Sequence, residues 1–363
     1  MRLDSIEVSG FKSIRELQKL ALRPLNVMIG ANGAGKSNLI ALFQLLNQMV
    51  MGNFQTFVRQ HGGADTFLYF GQKTTAKITV KLTFGKNAYA CVWMPTVDDR
   101  LFFAEENCIF YGDYASQAER SLGSGQLESN LPQAVQEKRW RPFYYVLDGL
   151  KSWRVYHFHD TSDSAPLKKI GDINDNRYLR PNAGNLAAFL YRLQQSQRSH
   201  YEAIRDTVRL VAPFFDDFIL RPLPENENKI RLEWREPGSD YPFMAHHLSD
   251  GTLRFICLAT LLLQPRLPAT ILIDEPELGL HPYAIGVLAS LMRSAAAKKQ
   301  LIVSTQSVTL VNQFEPEDLL IVENRDRATV IERVDPARLS EWLEDYALGE
   351  LWEKNVLGGR PTR

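Results

Sequence analysis

The feature that most constrains this chain is a glycine-rich loop between a short apolar run and a segment of helical periodicity. Residues 25–29 read LNVMI, residues 30–38 read GANGAGKSN, and apolar residues then recur at helical spacing over residues 39–50. This order predicts a strand, a tight loop and a helix. In the spacing GxxxxGK[ST], backbone N–H groups and the helix N-terminus attract phosphate oxygens, and the lysine adds positive charge. We therefore expect the loop to bind the phosphates of a nucleotide.

Each position of the loop has an expected role in binding ATP and Mg²⁺. Lys36 is expected to contact phosphate oxygens, and the hydroxyl of Ser37 is expected to ligate Mg²⁺. The other positions are expected to bind the nucleotide mainly through the backbone. These positions are Asn32, Gly33, Ala34, Gly35 and Asn38.

A second apolar run ends in two acidic residues. Residues 270–277 read TILIDEPE, which is typical of a strand buried on both faces of a parallel sheet. Because open α/β sheets bind ligands beyond the carboxyl ends of their strands, Asp274 is expected to reach the Mg²⁺ held by Ser37, directly or through water. Glu275 is the candidate general base for the attacking water. Two acids after a strand are by themselves more typical of a solvated loop or a helix cap, but the glycine loop favours the catalytic interpretation.

Composition leaves the partner of the protein open. The 363 residues include 42 basic and 42 acidic ones, so no global field draws the chain to nucleic acid or anionic lipid. The three cysteines show no metal-ligand spacing, and their odd number disfavours a disulfide framework. The longest apolar run, residues 255–263, is far shorter than the roughly 20 residues of a membrane helix. These features predict a cytoplasmic protein without a membrane partner.

Residues 246–255 read HHLSDGTLRF, a polar turn before an apolar helical stretch. Here the chain resembles the ABC-type ATPases, whose signature loop LSGGQ becomes LSDGT or a close variant in many soluble members. The resemblance assigns Ser249, Asp250, Gly251 and Thr252 to that loop. In the family this loop serves the ATP bound to the opposite subunit, which implies a homodimer that closes head to tail around ATP. An ordinary turn that caps a buried helix is the alternative.

The same resemblance assigns two further positions. Residues 300–307 (QLIVSTQS) predict another buried strand, and Gln306 stands where family members usually carry a histidine that senses the γ-phosphate. Since glutamine cannot take a positive charge, slow hydrolysis or a long-lived closed state is an expected outcome. Residues 9–14 (SGFKSI) resemble an edge segment of RecF-like and chromosome-structural heads, which would place Lys12 near the phosphates. A surface lysine on an edge strand is an equal alternative.

The resemblance implies an α/β fold: a P-loop NTPase of the ABC-ATPase head type, with a mixed core sheet, an antiparallel β meander and a helical subdomain. Alternation predicts the meander at residues 77–110, and helical spacing marks residues 184–211. Residues 113–141, rich in Ser, Gln and Glu, are expected to form an exposed insert. The predicted divisions are an N-terminal lobe at 1–165, a helical or connecting subdomain at 166–245, a C-terminal lobe at 246–335 and a helical tail at 336–363.

Residues 151–160 (KSWRVYHFHD) contain two histidines that could bind a metal ion. Strand periodicity there places Val155, His157 and His159 on one face. Two histidines on one face suit a metal, but the sequence offers no third ligand nearby. Strand pairing is therefore the favoured interpretation.

Residues 275–282 read EPELGLHP, which resembles the soluble branch that includes OLD-type ATPases, and the ending LGELWEKNVLGG resembles that of a bacterial family of predicted AAA-type ATPases. This resemblance runs along nearly the whole chain and implies a stand-alone soluble ABC-type ATPase of the OLD/RecF-like branch. No TOPRIM nuclease motif follows the ATPase core, so an effector is expected on another chain, and a nuclease is one candidate. The leading hypothesis is a dimeric ATP-gated switch that controls this effector in anti-phage defence. The alternatives are a RecF-like DNA-binding repair ATPase, which rests on basic residues at 137–143 and 360–363, and a less favoured transporter-type ATPase.

Overall fold

The computed structural model describes the chain except for residues 113–116, 138–139, 340–341, 343–344 and 359–363. The basic residues at 138–139 and 360–363, which the DNA-binding alternative invokes, therefore lie outside the described residues. In the described part of the chain, no helix is both long enough and apolar enough to cross a membrane.

The regular elements of the described residues are numbered here in chain order. The strands are β1 (Ser5–Phe11), β2 (Ile14–Ala21), β3 (Leu25–Ile29), β4 (Ile78–Phe84), β5 (Asn87–Pro95), β6 (Leu101–Tyr111), β7 (Gln117–Gly123), β8 (Trp153–Tyr156), β9 (Gly171–Asp172), β10 (Asp217–Ile219), β11 (Lys229–Ile230), β12 (Glu233–Arg235), β13 (Phe243–Met244), β14 (Thr270–Asp274), β15 (Gln300–Thr305), β16 (Leu319–Arg325) and β17 (Ala328–Arg333). The helices are α1 (Lys36–Val50), α2 (Phe54–Gln60), α3 (Leu131–Glu137), α4 (Arg141–Lys151), α5 (Leu186–Ser196), α6 (Arg198–Val211), α7 (Asp250–Leu263), α8 (Pro282–Ala296), α9 (Val308–Val311) and α10 (Leu348–Glu353).

The elements group into two units that do not follow the predicted divisions. The first unit comprises Met1–Val155, Pro268–Leu272 and Lys299–Arg363, and the second comprises Tyr156–Leu267 and Ile273–Lys298. The predicted C-terminal lobe is divided between the units, because most of β14 and all of β15 join a sheet of the first unit.

An antiparallel sheet in the first unit has the order β2-β1-β4-β5-β6-β7. Strand β4 of this sheet alternates buried and partly exposed residues, with Ile78, Val80, Leu82 and Phe84 buried. One face therefore packs on the core while the other remains polar. The pairing of β4 with β5 and of β5 with β6 confirms the meander predicted at residues 77–110.

The second sheet of the first unit has the order β17-β16-β3-β15-β14-β8. All five residues of β3 are buried, and β3 runs parallel to both β15 and β16. A strand with covered faces and two parallel neighbours needs a mostly apolar sequence, which the LNVMI run supplies. Its one polar residue, Asn26, is buried and donates to the carbonyl oxygens of Arg23 and Leu301. The strands predicted around LNVMI, TILID and QLIVST are confirmed.

The predicted insert at 113–141 is partly exposed but regularly folded over its described residues. Strand β7 extends the antiparallel sheet, and its first five residues are exposed. The residues that follow are anchored by a carboxylate that is 0% exposed: Glu106 accepts from Ser129 Oγ (2.5 Å), Gln126 Nε2 (3.0 Å) and the Asn130 amide (3.0 Å). Glu128 in turn accepts from the first amide groups of α2. Polar residues that suggested a solvated loop thus serve as hydrogen-bond partners.

The second unit contains the predicted helices at 184–211, which form as α5 and α6. It also contains a short antiparallel sheet of order β10-β12-β13 and the helices α7 and α8. In α7 every residue from Leu253 to Leu262 is buried, so this helix forms a core element.

The strand predicted at 151–160 is shorter than expected. It ends at Tyr156, and the amide of His157 donates instead to the carbonyl oxygen of Pro181 at 3.1 Å. The rings of His157 and His159 lie 6.2 Å apart. Among the described residues, no group of three His, Cys, Asp or Glu side chains is placed to hold a metal ion.

The predicted C-terminal helical tail is represented by α10, which packs on α9. A Cβ atom on Gly349 would lie 2.6 Å from Cγ1 of Val308, and the Gly349 amide donates to Oδ1 of Asn312 at 2.6 Å. Leu348 and Leu351 are buried. This part of the tail is therefore covered by the chain's own α9, whereas Trp342 is 45% exposed.

Candidate functional site

The glycine loop joins β3 to α1 in the first unit, as the sequence predicted. Gly35 adopts φ +111°, and α1 begins at the next residue, Lys36. The Lys36 ammonium is buried on the loop and donates to the carbonyl oxygens of Gly30 (2.6 Å) and Ala31 (3.0 Å). The positive charge is thus held over the loop, where it can transfer its hydrogen bonds to phosphate oxygens.

The residues of the loop differ in their exposure to solvent. Asn32, Gly33 and Ser37 are exposed, whereas Ala34 and Gly35 are buried. The first N–H groups of a helix have no partner within the helix, so the start of α1 offers donors to an anion beside the Ser37 hydroxyl.

Lys12 lies in the turn between β1 and β2, in an unusual backbone conformation with φ +48°. Its amide donates to the carbonyl oxygen of Phe67 at 2.8 Å, and its Nζ lies 4.9 Å from the centre of the Phe67 ring. Burial lowers the pKa of Lys12. The next residue, Ser13, accepts a hydrogen bond from Asn38 Nδ2 at 2.6 Å. The turn that carries Lys12 therefore touches the phosphate loop through Ser13.

Gln306 immediately follows β15, the parallel neighbour of β3. Thr305 is in register with Ile29, the last residue before the loop, so Gln306 and the loop leave the sheet at the same edge. Gln306 is half-buried. Contact between Gln306 and a bound nucleotide stays a prediction.

The predicted signature residues lie at the start of α7 in the second unit. Ser249 is the N-cap of α7, its Oγ accepts from the amide of Thr252 at 3.2 Å, and the two hydroxyl oxygens lie 2.9 Å apart. Ser249 and Asp250 are exposed. Lys168 Nζ lies 3.9 Å from the Asp250 carboxylate. This arrangement presents hydroxyl groups and a helix N-terminus to solvent, which suits a phosphate group.

The acidic pair follows β14, also in the second unit. The carbonyl oxygen of Asp274 lies 2.8 Å from Nε2 of His159, and both acidic side chains are partly exposed. Glu275 has φ +42°, a conformation that costs a non-glycine residue on the order of 1 kcal/mol or more. Residues held in such conformations cluster at functional sites, and the catalytic role of Glu275 stays a prediction.

Arg254 was not among the residues predicted from the sequence. It hydrogen-bonds the first turns of α7 to neighbouring segments of the chain. Its side chain is 5% exposed and donates to the carbonyl oxygens of Phe158 (3.0 Å), His159 (3.3 Å) and Leu278. Burial lowers the pKa of Arg254, while Asp250 raises it. One side chain thus joins the start of α7 to the segments around His159 and behind Glu275. An arginine inside an otherwise apolar helix, LRFICLATLLL, was the available signal.

The predicted ligands are chemically suited to Mg²⁺. The exposed hydroxyl of Ser37 and the partly exposed carboxylate of Asp274 are hard oxygen donors. Magnesium is commonly bound by one or two such side chains together with substrate phosphates. Each of the two side chains, taken separately, is therefore a chemically suitable ligand for Mg²⁺.

The segment at residues 137–143, on which the DNA-binding alternative partly rests, contains one tryptophan, Trp140. Trp140 packs edge-on against Phe143 with ring centres 4.9 Å apart, and the guanidinium of Arg120 covers its ring at 5.1 Å. The aromatic ring of this segment is thus engaged within the chain.

The fold and the phosphate loop define a P-loop ATPase with the ABC-type head fold. The chain belongs to the family described as "AAA domain, putative AbiEii toxin, Type IV TA system", whose model matches residues 98–312. A second model, "AAA ATPase domain", matches residues 1–137. The predicted ATPase class is thereby confirmed, and the OLD/RecF-like branch stays a prediction.

Two solved structures share the fold. One is an SmcHead bound to the C-winged helix domain of ScpA: identity is 15%, the match covers 93% of this chain and 99% of that chain, and the TM-score is 0.55. The other is an Smc head domain with an extended coiled coil, bound to the C-terminal domain of ScpA derived from Pyrococcus furiosus: identity is 14%, coverage is 94% and 98%, and the TM-score is 0.52. A comparison with curated proteins found no match.

Proposed function

We propose that this protein is an ATP-gated dimeric switch. Two copies close head to tail around ATP and Mg²⁺, and closure controls a separate effector protein in bacterial anti-phage defence. The observation that carries the proposal is the geometry at the start of α7. Ser249 and Asp250 are exposed there, while buried Arg254 holds the same helix turn in place. An exposed helix N-terminus with hydroxyl groups suits a phosphate presented by a second copy.

Each residue of the proposed site has its own role. Lys36 and the first amides of α1 bind the phosphates, and Gln306 contacts the γ-phosphate. Ser37 and Asp274 hold Mg²⁺, which neutralises charge on the phosphates when bound. Glu275 accepts a proton from the attacking water. The Ser249–Thr252 loop of the second copy completes the site.

Slow turnover is part of the proposal. The amide of Gln306 can hydrogen bond to a phosphate but cannot carry the positive charge that a histidine provides. Stabilisation of developing charge is therefore weaker at this position, and the closed, ATP-bound state persists. A persistent closed state suits a switch better than a motor.

Control of an effector in defence is supported by the comparisons. The family description names a toxin of a type IV toxin–antitoxin system. Both SMC heads described above are bound to a domain of another protein, ScpA. These similarities favour control of a partner protein as the role of the ATPase cycle.

The dimer is tested by measuring molar mass in solution with and without ATP. We expect Glu275→Gln, which keeps the binding groups but lacks the base, to be dimeric with ATP and Mg²⁺ and monomeric without them. Ser249→Asp should remain monomeric, because aspartate still caps α7 but repels the γ-phosphate. Ser249→Asn, a neutral cap of the same size, is the matched control and should dimerise. A monomeric Glu275→Gln with ATP demonstrably bound contradicts the proposal.

The effector is tested by co-purifying the tagged chain with the products of its neighbouring genes. We expect Lys36→Ala to change the amount of captured partner, and Glu275→Gln to trap the ATP-bound level of capture. If capture is the same for both variants and is indifferent to ATP, the switch is ruled out.

A further inference from the structure

The hairpin formed by β16 and β17 lies directly against both ends of the phosphate loop. A Cβ atom on Gly30 would lie 2.1 Å from the carbonyl oxygen of Val322, and one on Gly35 would lie 1.9 Å from Oγ1 of Thr329. These are the first and last glycines of the loop. The hairpin therefore packs directly against the loop, although it lies almost 300 residues later in the sequence.

A chain of hydrogen bonds runs from the first turn of α1 through the hairpin to the loop. Thr329 Oγ1 donates to the carbonyl oxygen of Ala34 at 2.8 Å and lies 2.6 Å from Oγ of Ser13. Asn38 Nδ2 donates to Ser13 Oγ at 2.6 Å. A hydroxyl group has a single proton to donate. Because Thr329 gives its proton to Ala34, the proton between the two hydroxyls belongs to Ser13, and every bond in the chain has a fixed direction.

The two hydroxyl groups are themselves held by the backbone. The amide of Thr329 donates to the carbonyl oxygen of Ser13 at 2.7 Å, which ties β17 to the turn between β1 and β2. Thr329 is 1% exposed. Its hydroxyl therefore has a fixed position behind the loop and no access to a ligand.

We propose that Thr329 and Ser13 are positioning residues for nucleotide binding. The Thr329 hydroxyl fixes the Ala34 carbonyl toward the hairpin, so that this oxygen cannot turn toward the phosphates. Phosphate oxygens are attracted by N–H groups and repelled by carbonyl oxygens, so a rotated peptide in the loop weakens binding. The inference rests on nucleotide binding by the loop, which is part of the proposed function.

The test compares the ATP affinity of Thr329→Val and Thr329→Ser with that of the wild-type protein by isothermal titration calorimetry. Valine has nearly the same shape but no hydroxyl, and we expect about tenfold weaker binding, equivalent to about 1.4 kcal/mol. Serine keeps the hydroxyl and should bind within about twofold of wild type.

Thr270→Val is the matched control for loss of a buried hydroxyl. Thr270 is 0% exposed and donates to Gln300 Oε1 at 3.2 Å, and Gln300 begins β15, at the opposite end of that strand from the loop edge. We expect this variant to lose thermal stability as Thr329→Val does, but to keep wild-type ATP affinity. Equal weakening by both valine variants would assign the effect to stability and overturn the inference.

Ser13→Ala provides an independent measurement should Thr329→Val not fold. It leaves the bond from Thr329 to Ala34 in place, so we expect a milder loss of ATP affinity, about threefold. In the double variant the two losses should not add, because both groups act through one chain. Wild-type affinity in Thr329→Val, or in Ser13→Ala if only that variant folds, overturns the inference alone. Failure of the wild-type protein to bind ATP overturns the proposed function as well.

Discussion

A Cβ atom on Gly251 would lie 2.2 Å from the carbonyl oxygen of Gly279, so the signature loop lies directly against the segment that follows the acidic pair. Main-chain carbonyl groups cannot yield to a side chain as a flexible tip can. We therefore expect Gly251→Ala to displace the start of α7 and to abolish ATP-dependent dimerisation, while ATP binding to the monomer persists. Light scattering and nucleotide titration measure the two properties separately.

The matched control is Gly171→Ala in the same unit. A Cβ atom on Gly171 would meet only the carbonyl oxygen of Gly184, at an ordinary 3.8 Å. This variant should dimerise like the wild-type protein. Normal dimerisation of Gly251→Ala would show that the close contact does not position the loop.

The hydrolysis step is expected to depend on Glu275 and to be limited by Gln306. Glu275→Gln should lower the rate of phosphate release about 100-fold or more, since a positioned base contributes on that scale. Gln306→His should raise the rate several-fold, because histidine can take a positive charge near the developing charge of the transition state. Single-turnover assays at saturating ATP check both changes. A Glu275→Gln variant with undiminished turnover would remove Glu275 from the chemistry.

Glu106 is expected to stabilise the fold of the first unit without affecting nucleotide binding. Its buried carboxylate accepts from the Tyr89 hydroxyl at 2.8 Å in addition to its three partners after β7. In Glu106→Gln the side-chain NH₂ group faces donors that the carboxylate accepted from, so at least one of these hydrogen bonds is lost. We expect the free energy of unfolding to fall by about 1–3 kcal/mol. Urea denaturation measures the loss. Glu105→Gln, at an exposed neighbouring position, is the control and should change little.

His157 is expected to make stability depend on pH. Burial lowers its pKa below the ordinary value of 6.5; Asp274 opposes this shift and His159 adds to it. The imidazole of His157 takes up a proton more readily in the unfolded chain than in the folded one. The contribution of His157 to the free energy of unfolding is therefore at its maximum above pH 6.5 and is lost as the pH drops below that value. His157→Gln should flatten this dependence, as measured by denaturation across the range. A slope that persists in His157→Gln would assign the titration elsewhere.

The parts of the site that lie close together in sequence could be predicted. The strand before Gly30, the loop and the helix that begins at Lys36 form one continuous segment, and local sequence patterns determine each element. The strands that lead to Asp274 and Gln306 could be predicted for the same reason, because buried parallel strands require unbroken apolar runs.

The supports of the site could not be predicted, because their partners are distant in sequence. Thr329 contacts Ala34, and Arg254 contacts carbonyl groups near residue 158. The polar residues after β7 are typical of a solvated loop, and the sequence therefore predicted an exposed insert. In the structure, several of them donate hydrogen bonds to the carboxylate of Glu106. A pattern within one segment carries no information about which distant group will meet its hydrogen-bonding atoms.

The most direct test of the shared ATP site is a mixing experiment with two inactive variants. Lys36→Ala lacks an intact phosphate loop but keeps the Ser249 loop, and Ser249→Asp has the reverse defect. Each variant alone should hydrolyse ATP at the background rate. A mixed dimer contains one site with both intact halves, so we predict that mixing restores hydrolysis to well above the sum of the separate rates. If the mixture stays at that sum while wild-type protein is active under the same conditions, the account of a site shared between two copies is wrong.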